Sequence, residues 1–131
     1  MIRTALVSAA VLALALGAGT ATARERPTGE QELAKLLEGR VAGDPQSCVD
    51  TFRNRETRVV DGTALVVGRG RTIWVNIPHN AADLNDDDVL VTQQLGTQLC
   101  RQDIVRLVDR YVGFQTGAVY LDRFVPYTRA D

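Results

Sequence analysis

The chain has 131 residues, with 15 lysines and arginines against 16 aspartates and glutamates, and a formal net charge of −1 at pH 7. This near-neutral balance, with no basic cluster, argues against nucleic acid as a partner, because neutralising phosphates requires concentrated positive charge. The length suits a single domain that can bury a hydrophobic core, with little room for a second domain.

Residues 1–23 have the pattern of a secretory signal peptide. A positive charge at Arg3 precedes a run rich in Ala, Leu and Val, which ends in the small residues Ala21-Thr22-Ala23. This pattern predicts cleavage after Ala23 and export to the periplasm or beyond. The alternative is an uncleaved anchor, but the run is too short and too rich in alanine for a spanning helix of about 20 strongly apolar residues. We therefore expect no membrane span after cleavage.

The remaining chain begins with a charged segment, 24–30, that is interrupted by a proline and is expected to be a flexible tail. Thr28 and Gln31 have the spacing of a capping box at the start of a helix. Three leucines that follow share one helical face, which predicts a helix of about two turns over 31–38. Such a short helix has to dock on the body of the protein. We expect one β-rich domain spanning 31–131.

The stretch from Thr57 to Asn76 is typical of a hairpin around which the domain is organised. Two apolar runs, Ala64–Val67 and Thr72–Val75, flank Gly68-Arg69-Gly70-Arg71. An Asp-Gly pair just before the first run is a strong turn signal and indicates an earlier corner of a meander.

Alternation in the second strand of this hairpin places Ile73, Val75 and Ile77 on a core face and Trp74 on the opposite face. Trp74 is then either covered by a second layer, such as the leucine helix, or available as a contact residue. The possible contact surface consists of Trp74, Arg69, Arg71 and His79.

Further strands are expected after an acidic loop, 81–88, which lacks the alternating carboxylates and the glycine of a calcium loop. The β-branched run Val89–Thr92 indicates a strand. The segment Ile104–Asp109 has helical as well as strand spacing, and the turn residues after it favour a strand. A last run, Phe124–Tyr127, contains Pro126, which marks a sheet edge or a strand end.

Two cysteines, Cys48 and Cys100, remain in the predicted exported chain. In an oxidising compartment such a pair indicates one disulfide bond. The alternatives are an intermolecular bridge or two buried free thiols.

A catalytic, cofactor-binding or metal-binding constellation is not recognisable in the sequence. Ser47 is the only serine after the signal sequence and His79 is the only histidine, and no motif connects them. Zinc requires three or four suitable ligands, and His79 has no histidine partner. The Gly-Arg-Gly turn lacks the lysine and helix start of a phosphate loop. We therefore predict no cofactor.

Four segments carry a resemblance to known sequences: Val60–Leu65, Asp87–Thr92, Leu99–Val105 and Phe124–Tyr127. On these residues the chain resembles small exported proteins of alphaproteobacteria that have no assigned function. The resemblance spans most of 31–127, including both cysteines. It implies a bacterial periplasmic setting, and it implies no catalytic residue.

The sequence thus predicts a mainly β domain, either a small, partly closed antiparallel barrel or a bent sheet, with a short N-terminal helix. The leading functional hypothesis is a non-catalytic periplasmic module that binds a protein or a component of the cell envelope. A first alternative is an enzyme inhibitor that presents the loop 78–88 to its target. A second alternative is a small periplasmic enzyme in which His79 acts with a carboxylate.

Overall fold

The structure is a computed structural model that describes residues 19–131, so the apolar run of the predicted signal peptide lies outside the described residues. Within residues 19–131 the chain forms one α-helix, one short 3-10 helix and ten strands. The helices are α1 (Gly29–Leu37) and the 3-10 helix (Ala81–Asp83). The strands are β1 (Arg40–Ala42), β2 (Cys48–Asp50), β3 (Thr57–Val60), β4 (Ala64–Val67), β5 (Thr72–Asn76), β6 (Asp88–Thr92), β7 (Gln98–Cys100), β8 (Ile104–Asp109), β9 (Gln115–Tyr120) and β10 (Phe124–Arg129).

Helix α1 begins where the capping box predicts. The Thr28 hydroxyl accepts a hydrogen bond from the backbone N–H of Gln31, and the Gln31 side chain accepts one from the backbone N–H of Thr28. The helix therefore starts two residues earlier than the predicted range, because Thr28 is the N-cap itself. Its leucines are partly buried against one face of the main sheet, so the predicted docking on the body is confirmed.

The main sheet has five antiparallel strands in the order β1-β10-β5-β4-β3. The predicted meander forms its second half, with corners at Asp61-Gly62 and at the Gly-Arg-Gly-Arg turn. Gly62, Gly68 and Gly70 have positive φ angles, which glycine adopts without the strain that a side chain brings. Gly68 also lies against the Trp74 ring, where an added Cβ would be 3.2 Å from two ring carbons.

The C-terminal strand β10 lies inside the main sheet, between β1 and β5, and not at its edge. The expectation that Pro126 marks an edge or a strand end is therefore wrong. Pro126 pairs with Trp74 on one side, and on the other its carbonyl accepts a hydrogen bond from the Gly43 N–H, 2.7 Å away. Gly43 lies just beyond the last paired residue of β1. The β1–β10 ladder has already ended at this position, so the N–H that proline lacks is not needed for it.

Two smaller antiparallel sheets complete the molecule: β2 with β7, and β6-β8-β9. In the first, Cys48 lies directly opposite Cys100 and the two form a disulfide bond, as predicted. In the second, the ambiguous segment Ile104–Asp109 is a strand, also as predicted.

Both faces of the main sheet are covered. On one face Val66, Ile73 and Val75 belong to a cluster that packs under the leucines of α1. On the other face a larger cluster joins the main sheet to the two smaller sheets and includes the fully buried Phe124. Ile77, expected on the core face, is exposed because β5 ends at Asn76.

The described part of the chain is mainly β with one short α-helix, which confirms the predicted fold class. The three sheets of the described residues do not close into a barrel, which is consistent with the bent-sheet alternative.

Candidate functional site

Trp74 lies on the face of the main sheet that is covered by the smaller sheets, and not under α1. Its ring is half-buried against the larger hydrophobic cluster. The indole N–H is buried and has no hydrogen-bond partner among the described residues. The ring therefore contributes to packing, and its polar atom does not face solvent.

Arg69 and Arg71, two residues of the predicted contact surface, lie exposed on the β4–β5 turn. Each already has an acidic neighbour. Arg69 Nη1 is 3.5 Å from Glu56 Oε2, and Arg71 Nη2 is 2.7 Å from Asp131 Oδ1. Exposed pairs of this kind contribute at most about 1 kcal/mol to stability and can exchange for another partner. The two arginines do not form one surface with the half-buried Trp74.

His79 is exposed just after β5 and Pro78. Its backbone N–H donates to the carbonyl of Tyr120, 3.0 Å away, and so ties the loop to β9. Its imidazole forms no hydrogen bond or ion pair with any residue between 19 and 131. An acid–base role would require a carboxylate within hydrogen-bond reach. The described contacts therefore give the enzyme alternative no support.

The loop 78–88 was expected to protrude if the protein were an inhibitor. Both ends and the middle of this loop instead pack against the rest of the domain. Pro78, Leu84 and Asp88 are buried, and the Leu84 carbonyl accepts a hydrogen bond from the Gly62 N–H. The described residues contain no group of three or more His, Cys, Asp or Glu side chains that could hold a metal ion.

An arginine-lined depression lies beside α1, on the helix-covered side of the main sheet. It consists of two adjoining clefts of about 320 and 720 Å³ that share Leu36, Arg40 and Arg58. We call the two together the arginine cleft. Arg69 lines the smaller part, and Lys35 and Arg129 line the larger part. No local pattern in the sequence indicates this grouping, because the residues come from α1 and four different strands or turns.

Arg40 is fixed in the arginine cleft by backbone carbonyls. Its Nε donates to the Leu36 carbonyl at 3.1 Å, and its Nη2 donates to the Gly70 carbonyl at 2.9 Å. Its Nη1 donates to the carbonyls of Arg71 at 2.8 Å and Tyr127 at 3.5 Å. The pKa of Arg40 is lowered from its ordinary value, because burial disfavours the charged form and the neighbouring Arg129 repels it.

The tip of the β8–β9 hairpin carries exposed apolar side chains. Tyr111, Val112 and Phe114 are 85%, 65% and 75% exposed. Monomeric proteins commonly expose single apolar residues, but three within four positions of one turn form a patch. We call residues 110–114 the hairpin tip. At the same end of the sheet, the exposed Val89 pairs with Val108 just before the turn.

The backbone of the hairpin tip is fixed by Asp109. One carboxylate oxygen, Oδ1, accepts hydrogen bonds from the backbone N–H groups of Tyr111 at 2.8 Å and Val112 at 2.9 Å. The Asp109 carbonyl accepts from the Gly113 N–H, and the Asp109 N–H donates to the Phe114 carbonyl. Gly113 has a φ of 75°, the left-handed conformation that closes such a turn. These bonds fix the backbone of the turn from which the apolar side chains project.

The same two backbone bonds lower the pKa of Asp109 from its ordinary value, first through Val112 and then through Tyr111. The carboxylate is thus favoured in its ionised form while the turn is formed. Sequence reasoning missed the hairpin tip because Tyr111 falls at helical spacing from Leu107 and Val108. The available signal was the placement of aromatic residues inside a turn that ends in glycine.

Comparison of the chain with protein-family models, with the sequences of characterised proteins and with solved structures found no match. Among the helices of the described residues, none is long and apolar enough to cross a membrane.

Proposed function

We propose that this protein is an exported, non-catalytic module that binds another protein through its hairpin tip. The observation that carries the proposal is the exposure of Tyr111, Val112 and Phe114 on a turn whose backbone Asp109 fixes. Because the backbone of the turn is already fixed, binding through its large apolar and aromatic side chains loses less backbone conformational entropy than binding through a flexible loop.

The shape of the tip indicates the kind of partner. A convex, rigid turn of about five residues is complementary to an apolar pocket in a folded protein. Two copies meeting tip to tip would bury far less than the about 800 Å² per partner of a standard interface. A tip inserted into a different surface of another copy would form open chains and not a closed oligomer. The partner is therefore a different protein.

An inhibitor is a specific version of this proposal, in which the pocket is the active-site cleft of an enzyme. The hairpin tip then takes the role that the sequence suggested for the loop 78–88. Loss of enzyme activity on binding would distinguish the inhibitor from a module that only docks.

The exported location is part of the proposal. Its support is the signal-like pattern of residues 1–23, the disulfide bond, and the resemblance to small exported proteins of alphaproteobacteria. N-terminal sequencing of the protein from the cell envelope tests it, and we expect the mature chain to begin at Arg24. A chain that retains residues 1–23 and remains in the cytoplasm would contradict it.

The binding proposal is tested with a photo-crosslinking amino acid at position 112 and, as a matched control, at position 95. Leu95 is a fully exposed apolar residue in another loop. Crosslinking in living cells identifies the partner, which is then purified and titrated with the wild-type domain. The double variant Tyr111→Ser, Phe114→Ser should weaken binding at least 30-fold, and Leu95→Ser should change it less than twofold.

Equal affinity of the double variant and the wild type would overturn the proposal. So would the same crosslinked products at positions 95 and 112. Binding to phosphatidylcholine vesicles that disappears in the double variant would show that the tip inserts into lipid, and it would also overturn the proposal.

A further inference from the structure

The larger part of the arginine cleft gathers positive charge in a protein that is slightly negative overall. Four basic residues and two acidic residues line it, which leaves a local excess of two positive charges. The basic residues are Lys35, Arg40, Arg58 and Arg129, and the acidic residues are Glu32 and Glu38. Within residues 19–131, none of the four basic residues has a carboxylate oxygen within 4 Å, although four other arginines of the chain do.

Arg40 is held at the centre of this charge with unused donor capacity. A guanidinium has five N–H groups, and the four backbone carbonyls around Arg40 accept from four of them. One N–H, on Nη2, remains without an acceptor in the described part of the chain. The Arg40 charge is thus fixed in position by neutral carbonyls and lacks a counterion.

Arg129 lies next to Arg40 because the two residues are directly opposite each other in the β1–β10 ladder. Arg58 reaches the cleft from β3, at the other edge of the same sheet. The side chains of Arg58 and Arg129 form no hydrogen bond with the described residues, so both are free to turn toward a ligand. Two mobile arginines and one fixed arginine around a cleft can surround an oxyanion from different directions.

We infer that the arginine cleft is a binding site for a phosphate-class oxyanion, with Arg40 as the fixed contact and Arg58 and Arg129 as the mobile ones. A phosphate carries up to two negative charges at neutral pH, which matches the local excess in the cleft. Arg58 and Arg129 can each bind phosphate oxygens with paired hydrogen bonds, while Arg40 has one N–H left to donate. A phosphate has more oxygens than a carboxylate and can therefore accept from all three arginines at once. Glu32 and Glu38 line the same cleft and repel any anion, so the four basic residues have to outweigh them.

The site shares no residue with the hairpin tip, and it stands whether or not the tip binds a protein. The phosphate group that binds there can belong to a free phosphate or to the headgroup of a phospholipid. Both ligands present the same oxygens, and vesicle binding distinguishes them.

The test titrates inorganic phosphate into the full disulfide-bonded domain at constant ionic strength while backbone amide signals are followed by NMR. Saturable shifts should map to the cleft, and sodium acetate should give no comparable shifts. The double variant Arg58→Gln, Arg129→Gln should weaken binding at least tenfold. The matched control Arg101→Gln removes an exposed arginine that has no carboxylate within 4 Å and lies outside the cleft, and binding should change less than twofold.

A second arm uses phosphatidylcholine vesicles with and without phosphatidic acid in a sedimentation assay. Co-sedimentation that needs phosphatidic acid and is lost in the cleft double variant assigns the phosphate to a lipid headgroup. Phosphate binding without co-sedimentation assigns it to a free phosphate. Both outcomes support the inference.

Three results would overturn it. The first is a response to phosphate that is the same in the cleft double variant as in the wild type. The second is an equal response to acetate, which would indicate screening of charge only. The third is tighter binding of a polyglutamate peptide than of phosphate at the same residues, which would make the site one for acidic peptides.

Discussion

Asn76 and Asp88 are the polar side chains that are buried in the described part of the chain. Both are satisfied by hydrogen bonds. Asp88 accepts one from the Thr116 hydroxyl at 2.7 Å, and Asn76 bonds both backbone groups of Asp122. The buried indole N–H of Trp74, which has no partner, is the exception. Buried polar groups with partners specify one arrangement of neighbouring strands, because any other arrangement leaves them unsatisfied.

Replacement of Asn76 by alanine should lower the free energy of unfolding by about 2 kcal/mol. The Asn76 amide donates to the Asp122 carbonyl at 2.6 Å and accepts from its N–H at 3.0 Å, so both groups lose their partner. Urea denaturation measures the change. Asn85→Ala is the matched control, because Asn85 is exposed and its side chain accepts only from the backbone N–H of Asp87 in the same loop, and it should cost less than about 0.5 kcal/mol. Equal losses for the two variants would contradict this role of Asn76.

For single residues, the sequence predicted the environment of a side chain better than it predicted which other residues the side chain contacts. Cys48 and Cys100 could be paired because the signal-like pattern of residues 1–23 predicts an oxidising compartment, where two cysteines indicate a disulfide. The position of Asn76 could not be foreseen, since its burial depends on Asp122, which is 46 positions away. The arginine cleft was missed for the same reason, because Arg40 and Arg129 meet only through the register of two strands.

At the scale of single elements, the β8–β9 hairpin combines a strand pair with a turn that one carboxylate organises. The pKa of Asp109 is lower in the folded turn than its ordinary value of about 3.9. The ionised carboxylate therefore stabilises the turn at pH values above the ordinary pKa, and this contribution is lost as the pH falls through the lowered, folded-state pKa.

Acidification should therefore loosen the hairpin tip before the rest of the domain unfolds. We expect the amide NMR signals of Tyr111 and Val112 to shift toward random-coil positions as the pH falls below about 4, while signals of the main sheet remain dispersed. Asp109→Ala should produce the same change at pH 7.

Asp50→Ala is the matched control for that variant. The Asp50 carboxylate also accepts two backbone N–H groups, from Phe52 and Arg53, in a turn away from the tip. This variant should leave the Tyr111 and Val112 signals unchanged. Tip signals that stay dispersed in Asp109→Ala would show that the turn is held by other contacts.

The sequence predicted helices and strands well where the signal lies in residues that are close together in the chain. The capping box located α1, and the glycine-rich turn located β4 and β5. The order of strands was not predictable, because β10 pairs with β1 and β5 through contacts that no local pattern records. The prediction that Pro126 marks a sheet edge or a strand end was wrong because the sequence does not show the order of the strands. The fit of Pro126 depends on Gly43, which supplies the donor on that side of the strand.

At the scale of the whole molecule, the disulfide joins two segments 52 positions apart in sequence and closes the small β2–β7 sheet. Val49 and Leu99, the next residues along the two strands, are both buried in the larger cluster. The bond therefore lies next to the main hydrophobic core and restricts the unfolded chain.

Loss of this bond in the double variant Cys48→Ser, Cys100→Ser should lower the free energy of unfolding by about 4 kcal/mol, which is the chain-entropy value for a loop of about 50 residues. Urea denaturation of the oxidised wild type and the variant measures the difference. Reduced wild type should match the variant. A loss below about 1 kcal/mol would show that packing of Val49 and Leu99 holds these strands without the bond.

The position of β10 between β1 and β5 governs the order in which the main sheet can form. A chain emerging from a ribosome presents α1, β1 and β5 first, but the strand that joins β1 to β5 is missing until residues 124–129 follow. The contacts of β10 with β1 span nearly the whole domain, and such non-local pairing folds slowly. Until β10 is available, β1 has no neighbour in the main sheet, so this sheet is completed only after the last strand of the described chain has been synthesised.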